Sequence, residues 1–115
     1  MAPHHITARQ LTIELLDKLT HDEVVAVGLV LNELIAARRQ WPNWPTDLVY
    51  AAAVVSEEAG ELVKAANDAH YKGTDPELCK GEAEQTAVTA IRFLANFPVP
   101  VPTSPAKQWE HFPQP

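Results

Sequence analysis

Cysteine is nearly absent: Cys79 is the only one in 115 residues. A lone thiol rules out an internal disulfide framework and fits a reducing compartment. Basic residues are also few. Nine Lys and Arg stand against fifteen Asp and Glu, for a net charge of −6 at pH 7. Holding a nucleic-acid polymer needs a basic face toward the phosphates, so that partner class is set aside. A single nucleotide is not set aside, because a bound divalent cation reverses the local field. No apolar run reaches the ~18 residues of a membrane span, and the N-terminal residues form no signal-peptide core. A soluble, cytoplasmic protein with no membrane partner is the expectation.

What is present is a hydrophobic fraction of 46% in a chain long enough for one domain. A domain this small buries a modest share of its surface, so self-association is expected. Four helical segments are predicted, and no strand. The first starts after Thr7, which forms a capping-box pattern with Gln10 and precedes Leu11, Leu15, Leu16 and Leu19. The second starts at Thr20, paired with Glu23 in the same way. It runs through "VVAVGLVLNELIAARR" and is apolar on most sides. Such a helix belongs at the centre of a bundle or in a subunit interface.

"WPNWPTD" breaks the chain, since Pro42 and Pro45 restrict the residues before them and Thr46 or Asp47 caps the next helix. This third helix spans about 47–70. Gly73 ends it, Asp75 caps its successor, and Pro76 takes the first position of a fourth helix over about 76–97. From Pro98 the composition changes, and six prolines fall in residues 98–115. Those residues read as an extended arm that Trp109 and Phe112 anchor to the body or to a neighbouring subunit. The domain is thus residues 1–97, an all-α bundle with short connections, and 98–115 is its Pro-rich arm.

The third helix carries "VVSEEAGELVKAA". Glutamates three and four apart repel one another on a helix. With 100° per residue, Val55, Ala59, Leu62, Ala66 and Ala69 form an apolar stripe. Glu57 and Lys64 fall opposite it. Glu58 lies roughly 60° from its centre, inside the apolar sector, and Glu61 marks the border. On the fourth helix Glu82, Gln85, Thr89, Arg92 and Asn96 make one polar stripe, opposite Ala83, Ala87, Ala90, Leu94 and Phe97. Each polar set, taken alone, is an ordinary solvent face. Taken together, on antiparallel helices joined by a short turn, they face each other across a groove. Oxygen ligands so arranged suit a hard divalent cation, Mg²⁺ first, with Mn²⁺ as substitute. The lone cysteine and scattered histidines show no zinc spacing.

"EEAGEL" on one helix and "GEAEQTAVTAIRFL" on the next resemble the MazG-like branch of the all-α nucleoside triphosphate pyrophosphohydrolase superfamily. The resemblance covers roughly residues 20–97. The family pattern is ExxE and then, on the next helix, ExxD; Glu58 and Glu61 match the first half, and Glu82 opens the second. Gln85 stands where the family usually has aspartate, as in a phage-type variant, and removes one negative charge. The resemblance implies a four-helix core completed between subunits of a homodimer or homotetramer. It also implies hydrolysis of a nucleoside triphosphate, NTP or dNTP, to a monophosphate and pyrophosphate.

On that reading Glu58, Glu61, Glu82 and Gln85 are metal ligands, and Glu57 or Glu61 orients the attacking water or takes its proton. Trp41 and Trp44 either stack on a base or cap the end of the bundle. Lys64 is a candidate for the phosphates; Arg92 either approaches substrate or pairs with a glutamate. Arg38 and Arg39 complement the dipole at the end of the second helix. Two other readings stay open. One is a nucleotide-binding protein whose chemistry Gln85 has weakened, and the other is a helical interaction module without a ligand.

Overall fold

A computed structural model describes residues 6–97, and the expected arm at 98–115, with Trp109 and Phe112, lies outside them. The described chain is all-helical: α1 is Ala8–Leu16, α2 His21–Gln40, α3 Leu48–Lys72 and α4 Glu77–Ala95.

The helix starts arise from local chemistry. Thr7 Oγ1 accepts from the Gln10 backbone at 3.1 Å, and Gln10 Oε1 accepts from the Thr7 N–H at 2.9 Å. Thr20 and Glu23 repeat this reciprocal pair at 3.1 and 2.8 Å. Each box satisfies two N–H groups that a helix start leaves orphaned. The backbone and hydroxyl bonds from Thr20 hold the Glu23 carboxyl below its ordinary pKa. Asp47 caps α3 through the Tyr50 N–H at 3.2 Å. Gly73 ends α3 at φ 72°, a left-handed conformation that favours glycine. Asp75 accepts from the Glu77 N–H at 3.0 Å where α4 begins, but the helix opens at Glu77, one residue after Pro76.

Of the two places expected for the second helix, the centre of the bundle is not the one it takes. α4 is the middle rod, packed against α3 and, less extensively, against α2. α2, apolar on most sides by sequence, is not central and buries no residue fully. Val27, Val30, Leu34 and Ala37 recur at helical spacing as its half-covered side, while Val24, Val25, Leu29, Leu31 and Ile35 stay exposed. α1 joins neither packing contact and buries nothing; Leu11, Ile13 and Leu15 are each about half exposed. Among the described residues only Ala51 and Val88 are fully buried apolar side chains. Both belong to the α3–α4 pair.

Candidate metal centre and adjoining cavity

The α3–α4 pairing brings together residues far apart in sequence. Carboxylate oxygens of Glu58 and Glu61 on α3 and Glu82 on α4 all lie within 4.8 Å of one another. Glu58 and Glu82 are half-buried and Glu61 is exposed. Glu58 sits where the helical wheel puts it, on the packed side, with Ala51, Val54 and Ala65. Burial raises its pKa above the ordinary 4.5, and the charges of Glu61, Glu82 and Glu57 push it the same way. Glu57 itself is exposed and stands outside the trio.

Among the described residues no basic side chain forms an ion pair with these three glutamates. Among the described residues both ion pairs belong to Asp68, which binds Lys64 at 3.3 Å and Lys72 at 3.4 Å. These bonds, that from Lys64 first, hold the Asp68 carboxyl below its ordinary pKa. Lys64, a phosphate candidate by sequence, is instead an exposed i,i+4 partner of Asp68 and does not border the cavity.

The polar stripe of α4 is not a solvent face. Thr89 is buried, and Glu82, Gln85 and Arg92 are half-buried. The Thr86 and Thr89 hydroxyls are satisfied within the helix, bonding the carbonyls of Glu82 at 2.8 Å and Thr86 at 3.0 Å. The apolar stripe instead turns outward at its end: Leu94 is 72% exposed. The inward stripe borders a cavity of about 300 Å³ that reaches Glu58 and Gln85 on one side and Trp41, Trp44 and Tyr50 on another.

Arg92 spans the far wall. Its Nη2 donates to the Trp41 carbonyl, at 2.6 Å, and its guanidinium lies 5.1 Å from the Trp44 ring centre. It pairs with no glutamate. Both tryptophans border the cavity, and Trp44 also packs toward Phe93 beyond it. Arg38 and Arg39 sit in the last turn of α2, outside the cavity lining, as the dipole reading requires.

Gln85 borders the cavity, but its amide is committed: Nε2 donates to Glu33 Oε1 on α2 at 2.7 Å. Glu33 is a site residue that the sequence patterns do not single out. Its one signal is that it is the single carboxylate in the mostly apolar stretch from Val24 to Ala37, and a half-covered carboxylate needs a polar partner. Thr89, on the polar stripe, and Asn43, which has no sequence signal, also border the cavity.

Compared with known proteins, the chain matches no family model, no curated protein and no solved structure. Among the described residues no helix is long and apolar enough to cross a membrane.

Proposed function

We propose that this protein is a MazG-like nucleoside triphosphate pyrophosphohydrolase, releasing a nucleoside monophosphate and pyrophosphate with Mg²⁺ or Mn²⁺. The observation that carries this reading is the meeting of three uncompensated glutamates beside an indole-walled cavity. The donor set fits the ion. Carboxylate oxygens are what a hard cation takes, and the mutual repulsion felt at Glu58 is what a cation would relieve. Glu58, Glu61 and Glu82 would hold it, with the Gln85 carbonyl oxygen as a neutral fourth ligand. When bound, the ion supplies charge neutralisation for the phosphates and a more acidic water.

The chain's own groups do the rest. Glu57 lies near enough for its charge to reach Glu58 yet is not in the trio, so it is free to orient water and accept a proton. Glu61 would share that role only by leaving the ion. The base stacks against Trp44 or Trp41 in the cavity. Arg92 fixes that indole wall and is the nearest cation for a phosphate oxygen.

The apolar side chains left exposed on α1 and α2 support self-association as a homodimer or homotetramer. A free Cys79 accords with a cytoplasmic setting. Glutamine at position 85 favours one second reading, a nucleotide-binding protein with weakened turnover, because a neutral ligand leaves the ion more loosely held.

The test is a panel of NTPs and dNTPs with Mg²⁺ or Mn²⁺, assayed for pyrophosphate. Hydrolysis of at least one, lost in Glu58→Ala, is the expected result. Metal-dependent nucleotide binding without product would leave the second reading. No binding, together with a melting temperature indifferent to metal, would leave a helical interaction module.

A further inference from the structure

Glutamine is a two-faced ligand. Its side chain offers a carbonyl oxygen and an NH₂ group, and a half-turn about its last torsion exchanges them. Gln85 borders the cavity together with Glu58, and toward a carboxylate the NH₂ end is the one drawn inward, since it donates. That orientation gives a cation nothing to bind. Here the NH₂ group is held elsewhere, by the Glu33 carboxylate at 2.7 Å. An ionised carboxylate only accepts, so it can hold the nitrogen end of Gln85 and not the oxygen end. Glu33 lies one helical turn before Ala37, which borders the same cavity as Gln85.

We propose that Glu33 is a positioning residue that fixes the polarity of the Gln85 amide, keeping its carbonyl oxygen available to the cation held by Glu58, Glu61 and Glu82. The proposal rests on the metal-centre reading given above. It gives α2 a part in the site beside α3 and α4. It also returns, at one remove, the negative charge that a glutamine at position 85 takes away.

The experiment uses the full-length protein and Mn²⁺ or Mg²⁺ alone as probe. Calorimetry gives affinity, and melting with and without metal gives the metal-induced increment. In Glu33→Gln the amide introduced at position 33 can itself donate, so Gln85 is released to turn its NH₂ group inward. Mn²⁺ affinity is expected to fall about 10- to 100-fold. The metal-free melting temperature should hold, because an amide–amide bond still forms. In the double variant E33Q/Q85E the bond reforms with reversed direction and a carboxylate borders the cavity, so affinity should return to near the wild-type value. Unchanged affinity in E33Q overturns the proposal, as does a lowered metal-free melting temperature with an intact metal increment. If the wild-type protein binds no Mn²⁺, the metal-centre reading falls and this proposal falls with it; if wild type and E33Q bind alike, only the role of Glu33 is lost.

Discussion

The two halves of the chain solve opposite problems. In the α3–α4 pair, polar side chains turn inward: Thr89 is buried, Glu58, Glu82, Gln85 and Arg92 are half-covered, and Leu94 is left outside. In α1 and α2 the apolar side chains themselves remain outside, and neither helix buries one completely. A protein normally fills its interior with apolar groups, because burying polar ones without partners is costly. Carboxylates turned inward are what the proposed cation site requires, and exposed valine and leucine are what the proposed self-association requires.

That contrast can be broken, and the largest effect should come from the acidic side. Glu58→Ala removes a proposed direct ligand and should lower turnover more than about 100-fold, since partners one shell further out cost about 10–100-fold. Glu57→Gln should lower kcat while leaving Mn²⁺ affinity within a factor of a few; equal losses of both would place Glu57 among the ligands. On the other half, Leu31→Glu puts a charge on an exposed apolar face of α2. Sedimentation at micromolar concentration should show the oligomer reduced to monomer, and an unchanged mass would remove that face from the interface.

Smaller effects sharpen the same comparison. Val88→Ala empties a site with 1% exposure and should cost about 2 kcal/mol in chemical denaturation. The pH dependence of Glu58 is informative in sign. Its pKa is raised in the folded protein, so the native state binds the proton more tightly than the unfolded chain. Metal-free stability should then fall as pH rises from about 4.5 through the higher folded value, the reverse of a salt-bridged carboxylate. Glu58→Gln should raise the metal-free melting temperature at pH 7, with the gain vanishing below pH 4. Least of all, Lys64→Ala should change stability by under about 0.5 kcal/mol and leave turnover intact, as exposed i,i+4 pairs do.

The parts of this structure that could be read from sequence are those governed by neighbours along the chain. Thr7 with Gln10, Thr20 with Glu23, Asp47 and Gly73 all mark the ends expected of them, because a cap is a contact between residues three or four apart. The meeting of Glu58, Glu61 and Glu82 is a consequence of two helical periods and one short turn. What escaped was orientation over distance. Periodicity with the short turn put the polar stripe of α4 against α3, but that α2 packs there as well has no local signal. Hydrophobicity put α2 either at the centre of the bundle or in a subunit interface and could not choose; within a single chain its exposed valines and leucines stay outside. The Glu33–Gln85 bond joins residues 52 apart and leaves no local trace beyond one carboxylate in an apolar run. Arg92 shares a stripe with Glu82, but its partner is a backbone carbonyl in the tryptophan loop, which no side-chain pattern encodes.

The arginine laid over Trp44 has a practical corollary. Of the three tryptophans in the chain, two border the cavity, and one of them is stacked under a cation. Any guest that slides between guanidinium and indole must alter the emission of that ring. With Trp109→Phe, the remaining fluorescence comes from the cavity wall alone, and the protein becomes an unlabelled optical gauge of its own occupancy.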